Sequence, residues 1–572
     1  MNRLTRRAAR LTAGAAAVTL LTAGAAQAAG ARPAFAHATG VGAGSANSSA
    51  HLLSLPADYD ADADGYSMYN VTLGSGAQAY WKAGYTGQGV GVALIDSGVS
   101  PVDGLNSGNV VYGPDLSIES QASNLTNVDS FGHGTHMAGI IAGRDATATS
   151  PYVGDKTDFV GMAPGAHIVS VKVADAYGDT DVTQLIAAID WVLAHKDDPG
   201  MNIRVINLSV GIDPSQSYLV DPLAYAVEQA WAHGIVVVVA AGNDGTGKTG
   251  KKDRGSGLQD PAYDPMVLAV GAADTNGTAT TVKDDTVSVF SSTQGVGKDA
   301  DRKPDLVAPG EHIASLRDPG SWIDQGFAST GAVDDRLMRG SGTSQAAAVV
   351  SGAAALIISQ HPDATPDQVK NALMHATDHL DKADPGSQGN GEIDLTKAVN
   401  KKVDNWNQPR SRANGTGSLQ ADRPDGGLVD SSGSQLSGEL DIFGNPVSTS
   451  ALAQAEAAGT GWATLAFSAG TDDSSATSGS GAGAGGTDAG AAGVSSAGVS
   501  AGDTSTSPDA TSGHTWSGHT WSSGDWAGHT WSSDDWSGHT WSGHTWSGHT
   551  WSGHTWSASS WADEFWSSVV WQ

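Results

Sequence analysis

Short apolar segments alternate with segments of helical periodicity between Val90 and His375. Nearly continuous apolar runs are typical of strands that are covered on both faces of a parallel sheet. Five such runs predict strands, at Val90–Ile95, His167–Val173, Arg204–Leu208, Ile235–Ala240 and Val267–Val270. The intervening helical patterns lie at about His133–Gly143, Asp181–His195, Asp221–His233 and Ser344–Gln360, and Thr365-Pro366 opens a further helix that ends near His375. This order predicts an α/β domain with three layers and a mostly parallel central sheet.

The first 28 residues have the features of an export signal. Met1–Arg10 carries four arginines, Leu11–Ala25 is apolar and uncharged, and Ala26-Gln27-Ala28 has the small-x-small form of a cleavage site. The apolar stretch is too short and too rich in Ala and Gly to span a membrane, and no later segment is long and apolar enough. We therefore expect a secreted protein with no transmembrane anchor. Thr5-Arg6-Arg7 leaves the general secretory and twin-arginine routes both open.

Changes in composition predict the remaining boundaries. Residues 29–68 are polar, acidic and without periodicity, which predicts a short disordered leader before a folded domain at 69–400. Scattered apolar residues over 401–469 predict a small satellite structure. A Gly/Ala/Ser-rich linker at 470–513 is expected to behave as flexible coil. Residues 514–572 form a low-complexity C-terminal extension in which Trp recurs every five residues.

Charge and cysteine content exclude several classes of function. The chain has 60 Asp and Glu against 30 Lys and Arg, a net charge of −30, so it is expected to repel nucleic acid. It contains no cysteine, which excludes a disulfide framework and cysteine catalysis. Stability outside the cell must then come from the size of the core, and bound cations are a second source that the composition leaves open.

Three local patterns carry candidate chemistry. Asp96 ends an apolar strand at the carboxyl edge of the predicted sheet, where α/β enzymes place their sites. His133 stands between two glycines at a helix start; the nearby His136 has no metalloprotease spacing and is interpreted as a packing residue. Ser344 begins a helix of small residues, whose free N–H groups favour negative charge. Taken singly, each pattern also fits a turn aspartate or a capped, buried helix.

The three residue types together fit nucleophilic catalysis. Serine is a weak nucleophile and needs a base, and a histidine whose tautomer is held by a carboxylate provides one near neutral pH. The chain order Asp96, His133, Ser344 is the order found in subtilisin. We therefore predict a serine endopeptidase that cleaves protein or peptide substrates through an acyl-enzyme intermediate.

The segments around these residues resemble the three signatures of the subtilase family, over about residues 69–398. The resemblance implies a subtilisin-like fold, a monomer, and no cofactor for catalysis. It places Asn243 as an oxyanion donor opposite the Ser344 N–H. It further implies that substrate is bound by Ser209, Val210 and Gly211, which pair with an extended peptide, and by Ala240, Ala241 and Gly242, which form the walls of a pocket with room for a large apolar residue. Family calcium sites rest on scattered loop oxygens, so structural calcium stays open with no ligand assigned.

Some features depart from the family pattern. Gln345 stands where the commonest motif has Met, although it removes no catalytic group. The leader is shorter than the usual inhibitory pro-domain. The insertion at Ile313–Leu337 precedes the nucleophile segment and is predicted to border the site. In the loop from Asp260 to Pro265, the resemblance suggests a cis peptide before the second proline.

The tryptophan tail allows three interpretations. A period of five matches neither a strand nor a helix, so regular amphipathic structure is not expected. Exposed Trp rings could stack on cell-wall glycan, which would make the enzyme wall-associated, or the seven repeat histidines could bind transition metals. The third interpretation is a disordered extension without a ligand.

Three other functions fit the sequence less well. A catalytically silent wall-binding protein is disfavoured because all four catalytic groups are present. An esterase is disfavoured because the Gly-x-Ser-x-Gly elbow with Ser, Asp, His order is absent. A glutamate-based relative of the subtilases is disfavoured because His133 occupies the position of the base.

Overall fold

The structure is a computed structural model. It describes residues 59–245, 257–293, 302–384, 386–409, 412–423, 428–430, 435–442 and 444–461, together with three residue pairs near the C-terminus. The predicted export signal, the leader up to residue 58, the linker and most of the tryptophan tail lie outside the described residues. Across the described ranges, no helix is long and apolar enough to cross a membrane.

Secondary structure alternates along the chain much as the sequence predicts. The strands are β1 Gly91–Asp96, β2 Val110–Asp115, β3 His167–Lys172, β4 Ile203–Leu208, β5 Val236–Ala240, β6 Leu268–Asp274, β7 Thr286–Val287, β8 Leu306–Pro309, β9 Ile313–Leu316, β10 Leu337–Gly340, β11 Thr377–Asp378, β12 Glu392–Ile393, β13 Val429–Asp430, β14 Thr540–Trp541, β15 His544–Thr545 and β16 His554–Thr555. The helices are α1 Met68–Gly74, α2 Ala77–Lys82, α3 His133–Ala142, α4 Val182–His195, α5 Pro222–Ala232, α6 Trp322–Gly331, α7 Thr343–Gln360, α8 Pro366–His375 and α9 Thr449–Ala457.

One large sheet organises the domain. Its strands follow the order β11-β12-β8-β6-β5-β4-β1-β3-β2, with β7 paired to β6. All pairs are parallel except β11 with β12 and β6 with β7. The five predicted strands are its central members, and every residue of β1 and β5 is buried. The predicted α/β fold with a mostly parallel sheet is therefore confirmed.

Helix boundaries follow from capping residues that the sequence already displayed. The Asp181 side chain accepts from Thr183 N, and Gln184 bonds back to the Asp181 N–H, which completes a capping box at the start of α4. Thr365 and Gln368 do the same for α8, where Pro366 takes the first helical position. The helix α7 is buried over its first sixteen residues and packs on α3 and the sheet, as its small residues allow.

The predicted disorder of residues 29–68 is wrong for the end of that segment. Ala61 is buried, and Asn70 Nδ2 donates to the carbonyls of Ala61, Asp62 and Asp64 at 3.1, 3.1 and 2.9 Å. The Asp64 carboxylate also pairs with Arg339 at 2.9 Å. Polar contacts to distant residues order this segment, and they leave no periodic signal in its sequence.

The described residues of the segment 401–469 do not form the separate satellite that the sequence suggested. Leu419 is completely buried in the main core, and α9 packs on α5. The Arg423 guanidinium donates to both carboxylate oxygens of Asp181, at 2.7 and 3.0 Å. The described part of this segment, which we call the C-terminal strap, therefore belongs to the same folded unit as the sheet.

Candidate active site

Asp96 and His133 meet at the carboxyl edge of the sheet. Asp96 is the last residue of β1, and His133 is the first residue of α3. The Nδ1 atom of His133 lies 2.8 Å from Asp96 Oδ1 and 3.1 Å from Oδ2, and both side chains are buried. A carboxylate accepts here, so Nδ1 carries the proton and Nε2 carries the lone pair that a general base needs.

A second buried carboxylate, Asp129, fixes the start of α3. Its oxygens accept from the backbone N–H groups of Gly132 and Thr135, each at 2.7 Å, and from the Ser97 hydroxyl at 2.8 Å. Burial raises the pKa of Asp129, while the nearby Lys172 charge lowers it. Asp129 thus positions the helix that carries His133. Sequence reasoning missed it, although an aspartate just before a helix start is a recognisable capping signal.

Buried Lys172 ties together the loops on which these carboxylates stand. Its ammonium donates to the carbonyls of Ser97 and Val128 at 2.7 and 2.9 Å and pairs with Glu119 at 3.0 Å. Because Lys172 is fully buried, these contacts are poorly screened by water. The loop that follows Asp96 and the loop that precedes His133 are therefore held in one arrangement.

Ser344 occupies the first turn of α7. The residue is fully buried, and its Oγ has no hydrogen-bond partner in the part of the chain that the structure describes. The N–H groups of a first helical turn have no intrahelical acceptors, and the helix dipole favours negative charge there. Because α7 packs on α3, the helices that carry Ser344 and His133 are neighbours.

Asn243 lies just beyond β5 with a defined amide orientation. Its Oδ1 accepts from the Thr343 N–H at 2.9 Å and from the Thr343 hydroxyl at 3.0 Å. The Nδ2 donor, in a residue only 6% exposed, has no partner among the described residues. Since Thr343 directly precedes Ser344, the free donor is presented beside the candidate nucleophile.

The two predicted substrate segments flank a side chain that sequence reasoning missed. Ser209–Gly211 follows β4 and Ala240–Gly242 ends β5, and Gln259 lies between them. A Cβ added at Gly211 would lie 2.9 Å from Gln259 Cβ, and one added at Gly242 would lie 2.8 Å from Gln259 Cγ. Gln259 Nε2 donates to Asp244 Oδ2 at 2.9 Å. Gln259 therefore adds a polar side chain to the space between the two segments, and room there for a large apolar residue stays a prediction.

Neighbouring residues clarify three further expectations. Burial lowers the pKa of His136 to about 3, and its ring bonds the Met338 carbonyl at 3.0 Å, which confirms a packing role. The insertion borders the site as predicted, because Trp322 N donates to the Ser130 carbonyl at 2.9 Å beside His133. The cis peptide in the loop precedes Pro261, the first proline, so the prediction for the second was wrong.

Comparison with known proteins identifies the family. The sequence model of the subtilase family matches residues 87–391, more than half of the chain. The chain belongs to the subtilase family. Serine protease AprX of Bacillus subtilis (strain 168) is 36% identical over 317 residues, which cover 55% of this chain and 67% of that protein. Subtilisin E of the same organism is 33% identical, over 53% of this chain and 64% of its own length.

A solved structure is also similar to this subtilase. The crystal structure of a cold adapted subtilisin-like serine proteinase is 28% identical in sequence, and the match covers 54% of this chain and 90% of that one with a TM-score of 0.38. Family membership places the chain among the subtilisin-like serine-type endopeptidases, which need no cofactor for catalysis. The matched residues end at 391, before the C-terminal strap begins.

Proposed function

We propose that the protein is a secreted endopeptidase that cleaves protein substrates with Asp96, His133 and Ser344 as its catalytic triad and Asn243 as its oxyanion donor. The observation that carries this proposal is the buried Asp96–His133 hydrogen bond of 2.8 Å at the same sheet edge as two buried groups with no partner in the described ranges, Ser344 Oγ and Asn243 Nδ2. Buried polar atoms are almost always hydrogen-bonded, so exceptions that converge on one place favour a reacting group between them.

Acylation uses each of these atoms once. Ser344 Oγ attacks the scissile carbonyl carbon while its proton passes to His133 Nε2, and Asp96 stabilises the resulting imidazolium. The carbonyl oxygen becomes an oxyanion that accepts from Asn243 Nδ2 and the Ser344 N–H. When the intermediate collapses, the C–N bond breaks and the imidazolium proton leaves with the amine. Water then repeats the sequence on the acyl-enzyme and releases the carboxylic acid.

Substrate binding is proposed for the segments on either side of Gln259. Ser209, Val210 and Gly211 continue from β4 and can hydrogen-bond an extended peptide through their backbone, as strand addition requires. Ala240, Ala241 and Gly242 form the opposite wall. In this binding mode the enzyme hydrogen-bonds the substrate backbone, so selectivity depends on the side chains, such as Gln259, that lie between the two segments.

The location and outer segments are also proposals. Residues 1–28 support export of a monomeric enzyme, and the Trp repeat supports an association with cell-wall glycan through aromatic stacking. Sedimentation of the full-length protein with purified cell wall, compared with a chain that ends at residue 513, measures the second proposal.

Labelling with a fluorophosphonate probe tests the nucleophile. The secreted parent should be labelled and Ser344→Ala should not; persistent labelling of Ser344→Ala would refute the assignment. Asn243→Ala should remain labelled, because its nucleophile is intact, while its kcat on a peptide substrate falls about 10²–10³-fold. The matched control is Asn106→Ala at an exposed asparagine, which should leave kcat unchanged. Equal rates for the two alanine variants would remove Asn243 from the mechanism.

A further inference from the structure

The C-terminal strap contacts the loop that leaves the proposed peptide-binding segment. Ser209–Gly211 follows β4, and residues 213–220, which we call the flanking loop, then lead to α5. The flanking loop contains neither helix nor strand, and Leu219 within it is 39% exposed. A loop of this kind has few stabilising contacts of its own, so the neighbouring segments decide how well it is ordered.

Backbone hydrogen bonds hold the flanking loop against the strap. Asn414 N donates to the Leu219 carbonyl at 3.0 Å, and Gly417 N donates to the Val220 carbonyl at 2.6 Å. The two segments are so close that a Cβ added at Gly417 would lie 2.6 Å from the Val220 carbonyl oxygen, and the backbone would have to shift. The strap therefore fits the loop at this point because its residue is glycine.

Side chains of the flanking loop add further contacts to the strap. Gln216 Nε2 donates to the Ser418 carbonyl at 2.9 Å, and Gln216 Oε1 accepts from the Ser418 N–H at 3.0 Å. The Ser215 hydroxyl donates to the Ala421 carbonyl at 2.5 Å. An amide side chain that both donates to and accepts from one residue fixes the orientation of the two segments as well as their distance.

The strap is itself anchored in the catalytic domain, so it can serve as a fixed support. Leu419 is completely buried in the main core, and Arg423 pairs with buried Asp181 at 2.7 Å. The Glu439 carboxylate accepts from the Ser418 hydroxyl at 2.6 Å and from the Leu419 N–H at 2.5 Å. These contacts fix the part of the strap that touches the flanking loop.

One residue connects the flanking loop to the peptide-binding segment. Ile212 directly follows Gly211, and its carbonyl accepts from Asp260 N at 2.8 Å while its N–H donates to the Asp260 carbonyl at 3.3 Å. Asp260 in turn follows Gln259, which contacts Gly211 between the two proposed substrate segments. A displacement of the flanking loop is therefore passed through Ile212 to both sides of the space that the substrate would enter.

We propose that the C-terminal strap positions Ser209–Gly211 through the flanking loop and thereby sets the affinity of the enzyme for extended peptides. The inference rests on the proposed function, because it requires Ser209–Gly211 to pair with substrate. Strand addition orders the enzyme segment that pairs, and a segment already held in its bound conformation loses less conformational entropy on binding. Gln216 and Gly417 are then positioning residues that act through the loop. The family match ends at residue 391, so the support comes from a segment that follows the matched residues.

Gly417→Ala and Gln216→Ala test this role in the full-length chain. For a peptide with about four residues before the cleaved bond, each should raise KM about 5–30-fold, the factor expected when binding must order one further backbone residue. The kcat should change less than about twofold, because only binding is affected. Labelling by a small fluorophosphonate, which does not pair with Ser209–Gly211, should proceed at the parent rate. The matched control is Gly326→Ala, at an exposed glycine where an added Cβ meets nothing within 4 Å.

Hydrogen exchange in the Ser344→Ala background measures whether the strap has moved. In Gly417→Ala the amides of Asn414 and residue 417 should exchange faster, since both donate to the flanking loop. Two variants cover the case in which one fails to fold. A parent-like KM in both variants would overturn the proposal even if their Tm fell, and so would an equal rise in KM in Gly326→Ala or slower fluorophosphonate labelling in step with KM. A parent that is neither labelled nor active would instead refute the proposed function, and this inference with it.

Discussion

The ion pair between Arg423 and Asp181 offers a direct test of how the C-terminal strap is attached. Both side chains are 4% exposed, and the guanidinium also donates to the Leu440 carbonyl at 2.7 Å. Replacing Arg423 with methionine keeps much of the side-chain volume but leaves Asp181 buried without its counter-charge. Asp181 is also the N-cap of α4, so the change reaches a core helix. We expect Arg423→Met to destabilise the whole catalytic domain and not the strap alone.

The expected size follows from the burial of the pair. Removing one partner of a buried ion pair costs about 3–5 kcal/mol, because the remaining charge is uncompensated. With an unfolding entropy of about 2.1 cal/mol/K per residue, a domain of roughly 400 residues loses about 4–6 °C in Tm. An exposed pair would cost no more than about 1 kcal/mol.

Calorimetry in the Ser344→Ala background measures this loss, with Arg412→Met as the control at an exposed arginine of the same segment. Burial tends to raise the pKa of Asp181, but the Arg423 charge and its hydrogen bonds outweigh that effect and lower it. A lowered carboxyl pKa stabilises the fold above the usual range near 4 and loses this effect as pH falls through the lowered value. The difference between parent and Arg423→Met should therefore shrink in strong acid. Equal Tm values at pH 7 would refute the reasoning.

Two further predictions concern the active site. Asp129→Asn keeps the shape but replaces one accepting oxygen with a donor that faces a backbone N–H, so His133 should shift and kcat should fall by about tenfold or more with little change in KM. Asp197→Asn, at an exposed aspartate, is the surface control. An unchanged kcat in Asp129→Asn would contradict the positioning role. Partial desolvation of the Asp244 carboxylate and repulsion from the negative charge of Asp213 raise the pKa of Asp244 to about 6. Above pH 6 Asp244 is therefore mostly anionic and should attract a Lys ammonium in the substrate. The kcat/KM for peptides with Lys before the cleaved bond, divided by the kcat/KM for the same peptides with Leu there, should rise several-fold from pH 5 to pH 7. A flat ratio in the parent, or an equal rise in Asp244→Asn, would exclude Asp244 from substrate selection.

The central sheet could be predicted because its signal is local. Each of the five strands is a run in which apolar residues predominate. All five predicted helices begin after a capping residue or a glycine, as with Asp181 and Thr365. Such patterns depend only on neighbours in the sequence, since burial on both faces imposes them on every residue of the run. At every end of the five predicted helices, the predicted boundary accordingly lies within one residue of the observed one.

The outer elements could not be predicted because distant residues order them. α6 begins with Trp322, whose ring stacks on Phe131 with centroids 5.6 Å apart, and nothing in its own sequence announces that partner. The strap depends on Arg423 in the same way. Its apolar residues are too sparse to show a period, and its polar residues are equally compatible with coil.

The residues of the candidate site also differ in whether a local sequence signal marks them or only a contact with distant residues does. Asp96, His133 and Ser344 stand in distinctive glycine-rich surroundings, so the sequence could single them out. Gln259 could not be found in this way, because its importance comes from contact with Gly211 and Gly242, which lie in two other loops. The side chains that perform chemistry were thus predictable, while those that shape the space around them were not.

The acidic composition has a structural consequence that composition alone could not locate. Some interior carboxylates are neutralised by cations, as Asp145 is by Arg336 at 2.6 Å. Others meet only another carboxylate, as with Glu392, where burial and then the Asp285 charge raise the pKa well above its usual range. A raised carboxyl pKa destabilises the fold as pH rises towards it, the opposite of the effect at Asp181. The excess of acidic over basic residues, 60 against 30, therefore acts on stability at particular buried carboxylates such as Glu392, and not evenly across the chain.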